Sequence, residues 1–363
     1  MIIVSTSYSK SKEFSSPHEW LKRISFYTGI LEELAKKNSV HSIERINYTG
    51  NLEQNRVHYH FIRLSKTVER FPVSIHRCIR PLKPDIVLVN GMIFPLQIMQ
   101  LKMNVRRNTK IIVLHRAEKP FKGIKKFLQK AADKFIDAYL FTSEEFGEQW
   151  INTGIIQNKK KIFEVVQSSS AFIQTDKQQA RQKLNIIGEN IYLWVGRLEK
   201  NKDPLTVVHS FIEFSKINAD AQLYMIFQTE ELLADIQKLL AEQKVNTIHL
   251  AGRIDHDHLG SWYSAADFII SGSHYEGSGI AVIEAMSCGC IPILTNIVSF
   301  RKLSLHHEFL YEAGNARHLL EILQKTVSID RKKLSEDVRN RFQKEFSFSA
   351  IAEKVEHIIN LQS

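Results

Sequence analysis

Residues 274–289 read HYEGSGIAVIEAMSCG, and this stretch decides the fold of the C-terminal half. The apolar run before it predicts a strand, its glycines predict a loop, and the residues from about Gly279 onward predict a helix. Backbone N–H groups of Ser278, Gly279 and Ile280 then point out of the helix start, which is typical of an anion site. The missing side chains at Gly277 and Gly279 let a diphosphate approach closely.

Glu284 interrupts the apolar part of this predicted helix. A carboxylate in that position is partly buried, and burial without a partner is costly. Two vicinal ribose hydroxyls are suitable donors for one carboxylate, and the distance from Glu276 to Glu284 is at most about 12 Å in a helix, the scale of a nucleoside diphosphate. The alternative is a glutamate paired with a Lys or Arg of the core.

A second constellation lies in residues 195–204, VGRLEKNKDP, after the first predicted strand of the same half. Gly196 is expected to permit a tight turn at the carboxyl end of that strand, where parallel sheets bind ligands. Arg197 supplies planar bidentate hydrogen bonds and Lys202 a mobile point charge, so together they are expected to neutralise a diphosphate leaving group. Taken alone, such a basic turn is also typical of a solvated surface.

The length of 363 residues predicts two domains, and 44 % hydrophobic with 24 % charged residues is typical of a globular protein. Short β-branched runs alternate with helix-period segments in both halves, which predicts two sets of parallel β-α-β units. We predict an N-terminal Rossmann-like domain over 1–170, a linker over 171–190 and a C-terminal Rossmann-like domain over 191–345. A last helix over 346–363 is expected to cross back to the N-terminal domain.

The G-R-L-x-x-x-K loop and the E-G-S-G-I-A-V-I-E-A-M-S-C-G segment resemble the donor site of family-4 retaining glycosyltransferases of the GT-B fold. The resemblance covers nearly all of residues 188–345, and over 1–170 it is mainly the order of elements. It implies an α/β architecture of two Rossmann-like domains facing a central cleft. It also implies transfer of a hexose-type sugar, with retention, from a UDP- or GDP-linked donor to a glycan, lipid-linked or other hydroxyl acceptor.

The same resemblance implies roles for individual residues. Arg197 and Lys202 would hold the diphosphate, Glu276 the transferred sugar and Glu284 the ribose. His115, at the end of the predicted strand 111–114, would lie beside the reacting sugar, although a histidine there is also often structural. The remaining donor-binding candidates are Gly196, Arg253, Ile254, Gly277, Ser278, Gly279 and Ile280, with Arg253 and Ile254 flanking the nucleobase.

No cofactor or metal is expected, because the family chemistry depends on cations of the protein. Asp255-His256-Asp257-His258 does contain a D-x-D string, by which another glycosyltransferase class holds a metal. It precedes a predicted helix, so we interpret Asp255 or Asp257 as a helix cap. The three cysteines offer no disulfide framework, and together with the absence of a recognisable secretory signal they predict a cytoplasmic protein.

The charge is unevenly distributed: residues 1–187 carry a net +15 and residues 188–363 a net −5. A basic N-terminal half can attract a phosphorylated acceptor or an anionic membrane face. Residues 119–130, KPFKGIKKFLQK, predict a basic amphipathic helix that could rest on such a membrane surface, or could simply be exposed. No nucleic-acid recognition motif is present, so nucleic acid is not expected as a partner.

One departure from the family concerns the loop after the first strand, residues 5–12, which contains no glycine and instead carries Lys10 and Lys12. Acceptor recognition is therefore not predicted. Two rival functions also remain at the level of sequence. They are a nucleotide-sugar epimerase on the same fold and a non-catalytic sugar- or nucleotide-binding partner.

Overall fold

The computed structural model describes residues 1–63 and 72–362, which divide into two compact units. The first unit contains residues 1–169 together with the segment that begins at Phe348, and the second contains residues 170–347. Each unit has its own sheet and its own hydrophobic core.

The first unit alternates strands and helices along most of its length. In chain order its elements before residue 170 are β1 (Ile2–Ser7), α1 (Pro17–Arg23), α2 (Ser25–Leu34), β2 (Ser39–Glu44), β3 (Gly50–Gln54), β4 (Val57–Phe61), α3 (Val73–Ile79), β5 (Ile86–Asn90), α4 (Pro95–Asn104), β6 (Lys110–Leu114), α5 (Ile124–Asp133), β7 (Ala138–Phe141), α6 (Glu144–Asn152) and β8 (Ile162–Glu164). Within the described residues they form an eight-stranded sheet of order β3-β4-β2-β1-β5-β6-β7-β8, parallel except for β3.

The start of α1 follows from its sequence. Ser16 caps the helix by accepting the backbone N–H of Glu19 at 3.4 Å, and Pro17 occupies the first turn, where a missing N–H costs nothing. Apolar residues recur at helical spacing from Trp20 to Leu34, which favours one continuous helix. The backbone instead leaves helical geometry at Ile24, and a second helix begins at Ser25.

The strand β3 was not predicted. It forms a hairpin with β4 across Asn55 and Arg56, both of which have left-handed φ angles of 50° and 68°. Residues 50–54 are only half-buried or exposed, so β3 lacks the apolar alternation from which strands are read in a sequence.

The second unit is a parallel α/β domain. Its elements are α7 (Lys177–Leu184), β9 (Asn190–Gly196), α8 (Pro204–Ile217), β10 (Ala221–Phe227), α9 (Leu233–Glu242), β11 (Ile248–Gly252), α10 (Leu259–Ala265), β12 (Phe268–Ser271), α11 (Ile280–Ser287), β13 (Ile291–Thr295), α12 (Val298–Leu303), β14 (Leu310–Tyr311), α13 (Ala316–Lys325) and α14 (Arg331–Arg341). Its six described strands are all parallel, in the order β11-β10-β9-β12-β13-β14.

The segment predicted as a linker, residues 171–190, belongs to the second unit and contains α7. Arg181 on this helix binds Asp267 at 2.8 Å, and Lys177 binds the same carboxylate at 2.7 Å. This polar stretch therefore forms a helix that is attached to the domain by ion pairs with the buried carboxylate of Asp267. Composition alone did not reveal this attachment. The actual boundary lies between residues 169 and 170.

The last helix, α15 (Phe348–Gln362), belongs to the first unit, as the expected crossing back requires. It packs on α2: the side chain of Phe348 lies where a Cβ on Gly29 would come within 2.7 Å of its ring. Ile351, Val355 and Ile359 are buried in the same core as Ile30. Among the described residues, no helix combines the length and the apolar character needed to span a bilayer.

Candidate functional site

The loops that follow β9 and β12 meet at the carboxyl edge of the second sheet. These two strands are neighbours at the topological switch point, because β10 and β11 lie on one side of β9 and β12 to β14 on the other. In open parallel sheets the crevice at that point is where ligands bind. The strands pair at only two positions, Phe268 with Tyr192 and Ile269 with Leu193, whereas β9 pairs with β10 at seven.

Two hydrogen bonds to main-chain carbonyl oxygens connect the two loops, one from a backbone N–H and one from the side-chain amide of Asn201. The N–H of His274 donates to the carbonyl of Asn201 at 2.8 Å, and the Asn201 amide donates to the carbonyl of Tyr275 at 3.0 Å. Gly272 makes the approach possible, since a Cβ at this residue would lie 2.8 Å from the carbonyl oxygen of Asp203 and 3.0 Å from that of Lys202. Only a residue without a side chain fits between them.

Lys202, predicted to hold the diphosphate, and Glu276, predicted to hold the transferred sugar, are in direct contact. The lysine Nζ donates to Oε1 of Glu276, and the hydroxyl of Ser273 donates to the same oxygen at 2.9 Å. Their side chains are 24 % and 18 % exposed, so the pair is accessible from solvent although largely enclosed. A cation and a carboxylate held together in this way offer one group for a phosphate and one for sugar hydroxyls.

Asp203 sets the geometry of the turn that carries Lys202. Its φ of 41° lies in the left-handed region, where aspartate is among the more tolerated residues. Its carboxylate caps α8 by accepting the N–H of Thr206 at 3.2 Å, and it also contacts Nε2 of His274 at 3.0 Å. The Asp203 side chain therefore caps α8 at the end of the loop after β9 and also contacts the loop after β12.

The helix α11 begins as the sequence predicts. Gly279 is its N-cap, with a φ of 66° and no side-chain cap. A Cβ there would lie 2.7 Å from the ring of Phe300, so glycine is required both for conformation and for space. Ser278 and Gly277 precede it as half-buried residues, and Ile280 opens the first turn. The start of this helix is thus a set of backbone donors without a side-chain cap.

Glu284 is 5 % exposed, as its apolar neighbours suggested, but no Lys or Arg of the described residues pairs with it. One carboxylate oxygen, Oε2, accepts the hydroxyl of Tyr263 at 2.9 Å. The other, Oε1, lies 2.7 Å from Nε2 of His256. The partners of this carboxylate are a phenol and an imidazole on the neighbouring loop and helix, 21 and 28 residues away, with no local signal that connects them.

Arg197 is exposed on the loop after β9, and no described residue hydrogen-bonds or ion-pairs with its guanidinium. Gly196 ends the strand without a left-handed φ, so the tight turn predicted for it is not the reason for glycine there. A Cβ at Gly196 would lie 3.1 Å from the ring of Trp194, which indicates a packing role.

Arg253 and Ile254 follow β11, the first exposed and the second half-buried against the core of the unit. The helix cap predicted for the next residues is not present: Asp255 precedes a short 3-10 turn, His256–His258, without a side-chain cap bond, and α10 begins after it. Within the described part of the chain, no group of three or more His, Cys, Asp or Glu side chains could hold a metal ion.

His115 occupies the end of β6 in the first unit, but its side chain is only 2 % exposed. The ring packs against Phe141, Phe146 and Trp150, with centroid distances of 4.8, 5.3 and 6.2 Å. Nε2 donates to the carbonyl of Glu118 at 2.9 Å, and burial lowers the pKa of the imidazole. Its Nδ1 is buried without a hydrogen-bond partner among the described residues, and contact of this histidine with a sugar stays a prediction.

The geometry defines a class: two Rossmann-like units, the second of which gathers backbone donors, a lysine and two carboxylates at the switch point of its sheet. Solved structures share this fold over the whole chain. Sucrose-phosphate synthase from Thermosynechococcus elongatus superposes with a TM-score of 0.72 at 18 % identity, covering 99 % of this chain and 98 % of that one. Anabaena HepE in complex with UDP and glucose superposes at 0.73 and 12 % identity, covering 99 % and 100 %. The fold is GT-B.

Residues 176–345, somewhat less than half of the chain, match the family model described as glycosyl transferases group 1. A GDP-mannose:cellobiosyl-diphosphopolyprenol alpha-mannosyltransferase of Xanthomonas campestris is 31 % identical over 116 residues, 31 % of this chain and 30 % of that protein. A tRNA-queuosine alpha-mannosyltransferase of Drosophila melanogaster is 26 % identical over 128 residues, 34 % and 33 % of the two chains. The chain thus matches about a third of the length of these relatives.

The close approach at Gly272 can be tested by adding one methyl group. We expect Gly272→Ala to push the two loops apart and to weaken nucleoside diphosphate binding about tenfold, since overpacking against backbone cannot relax by a rotamer change. Calorimetric titration with UDP and GDP measures the effect. Gly147→Ala is the matched control, because its Cβ would lie 2.7 Å from Ile162 in the first unit. Unchanged affinity in Gly272→Ala would show that the loop contact does not shape the site.

Proposed function

We propose that this protein is a glycosyltransferase that moves a hexose-type sugar from a UDP- or GDP-linked donor to a hydroxyl acceptor, with retention of configuration. The observation that supports it most is the contact between Lys202 and Glu276 at the switch point of the second sheet. These residues come from loops 74 positions apart. Their chemistry suits a donor, because a lysine can bind a phosphate and a carboxylate can accept hydrogen bonds from sugar hydroxyls. The mannosyltransferase names of two relatives favour a sugar of the hexose class.

In the proposed site the diphosphate binds at the start of α11, next to backbone donors of Gly277, Ser278, Gly279 and Ile280. Arg197 and Lys202 stabilise the charge that develops on the leaving diphosphate, which is electrostatic catalysis by groups already in place. Glu276 holds hydroxyls of the transferred sugar and Glu284 those of the ribose. Arg253 and Ile254 flank the base. Contact of His115 with the transferred sugar stays a prediction, and its ring lies among aromatic side chains.

The proposed reaction breaks the bond between the anomeric carbon and the diphosphate oxygen and forms one to the acceptor oxygen on the same face. The acceptor proton leaves with the diphosphate. An epimerase on the same fold would consume donor without an acceptor, so incubation with donor alone separates the two functions. A non-catalytic binding module would bind donor without turnover of any acceptor.

The acceptor is proposed to be a glycan or a lipid-linked compound, reached from an anionic membrane surface. Helix α5 supports this idea, because Ile124 and Phe127 are 82 % and 71 % exposed beside Lys125 and Lys126. Large exposed apolar side chains flanked by lysines are typical of helices that lie in the interface of an anionic bilayer.

The donor site is tested by two variants with separate effects. Glu284→Gln keeps the shape of the side chain but loses its charge, so we expect donor KM to rise about tenfold. Arg197→Ala removes a charge that acts on the leaving group, so we expect kcat to fall on the order of 10²-fold. Initial rates of donor consumption with and without added glycan acceptors measure both.

Glu321→Gln and Arg317→Ala are matched controls, since they change the same residue types at exposed positions of α13 in the same unit. Wild-type kinetics in both site variants would refute the assignment of the site.

Metal independence is a separate part of the proposal. We expect donor turnover to persist in EDTA, because cations of the protein and the helix start supply the positive charge. Activity is measured in EDTA, and again after Mn²⁺ is added in excess. Loss of turnover in EDTA that Mn²⁺ restores would contradict this part and would direct attention to Asp255 and Asp257.

Membrane contact is tested by sedimentation with lipid vesicles. We expect the protein to bind vesicles rich in phosphatidylglycerol, to bind phosphatidylcholine vesicles weakly, and to lose binding as salt is raised. Ile124→Ser with Phe127→Ser should reduce binding several-fold, by loss of the buried apolar area. Ile173→Ser with Ile217→Ser is the control, as both side chains are exposed in the second unit. Equal binding by the two double variants would contradict the role of α5.

A further inference from the structure

Glu284 has two hydrogen-bond partners, of which Tyr263 is buried and His256 is partly exposed. Tyr263 is completely buried, and its hydroxyl donates to Oε2 of the carboxylate at 2.9 Å. Burial and the neighbouring carboxylate raise the pKa of Tyr263 well above its usual value, so the phenol stays protonated and can only donate to Glu284. The hydrogen bond between Tyr263 and Glu284 therefore lies in the packed interior of the second unit.

His256 is the second partner, and it stands at the surface. Its side chain is 46 % exposed, and its Nε2 lies 2.7 Å from Oε1 of Glu284. A carboxylate is an acceptor, so Nε2 carries the proton of this hydrogen bond. The imidazole packs on the ring of Phe172, with 5.0 Å between centroids. It begins the turn that starts two residues after Ile254, which together with Arg253 is proposed to flank the nucleobase.

The two donors together fix the rotation of the carboxylate group. Each carboxylate oxygen has two acceptor positions. Among the described residues, Tyr263 donates to Oε2 and His256 donates to Oε1, so one acceptor position on each oxygen is left for a ligand. Two adjacent acceptor positions in a fixed orientation match the two vicinal hydroxyls of a ribose.

We infer that His256 is a positioning residue, which holds Glu284 in the orientation that accepts hydrogen bonds from both ribose hydroxyls. The site is thereby selective for ribonucleotides over 2′-deoxyribonucleotides. The inference rests on the proposed function, because it requires Glu284 to bind the ribose. It adds a residue that acts through Glu284 and that need not touch the nucleotide.

The test compares His256→Ala with the unaltered protein in calorimetric titrations against UDP, GDP and their 2′-deoxy forms. We expect affinity for the better-bound ribonucleotide to fall about tenfold, since a freely rotating carboxylate loses the paired hydrogen bonds. Affinity for the 2′-deoxy form should change less than twofold. The ratio of the two affinities, which a general loss of stability would not move, is the readout.

Three further variants separate positioning from other roles. His256→Gln can still donate an amide N–H to Oε1, so it should restore most of the ribose selectivity. In the Glu284→Gln background, His256→Ala should have no additional effect, because a residue that acts through Glu284 has nothing left to orient. His258→Ala is the matched control from the same exposed turn, and it should bind like the unaltered protein.

The outcomes distinguish this inference from the proposed function. If Glu284→Gln leaves ribonucleotide and 2′-deoxyribonucleotide affinities unchanged, the donor site itself is wrong. If Glu284→Gln lowers ribose selectivity but His256→Ala does not, only the role of His256 is overturned. Equal losses for both nucleotide forms in His256→Ala, or no rescue by His256→Gln, would also overturn it.

Discussion

The ion pair of Lys202 with Glu276 is the interaction on which the architecture of the second unit's ligand edge depends. It joins the loop after the first strand of the unit to the loop that leads into α11, across 74 residues of chain. A lone buried charge is expensive, whereas a close pair with an added hydroxyl donor from Ser273 is tolerated in a half-enclosed crevice. Because the two strands behind these loops pair at only two positions, the loops rather than the sheet hold this edge together.

The same edge separates two kinds of carboxylate. Glu276 is reachable from solvent and shares its charge with Lys202, and we expect this pair to exchange partners when a ligand arrives. Glu284 is buried and held by the hydroxyl of Tyr263 and the imidazole of His256, which together keep its orientation. A diphosphate and a ribose need these two different kinds of group. The diphosphate needs a positive charge that can change partners, and the ribose hydroxyls need an acceptor in a fixed orientation.

Much of this unit could be predicted from sequence because its signals are local. The strand Ala221–Phe227, the helix Pro204–Ile217 and the helix start at Gly279 follow from periodicity, proline and glycine positions. The partners of Glu284 could not be predicted, since Tyr263 and His256 reach it only through packing of α10 and the preceding turn against α11. The burial of His115 depends on three aromatic rings from β7 and α6, and a strand-end position does not show on which side such rings will lie. The helix within residues 171–190 was missed for a similar reason, because its attachment is a pair of cations on the distant Asp267.

A crystal structure with a nucleotide-sugar donor soaked into the protein tests the central claim most directly. The account predicts the diphosphate at the start of α11 within hydrogen-bond distance of Lys202, with the ribose hydroxyls on Glu284. The account would be contradicted by a donor bound elsewhere on the second unit. In that case Lys202 would still contact only Glu276, and Glu284 would still accept hydrogen bonds only from Tyr263 and His256.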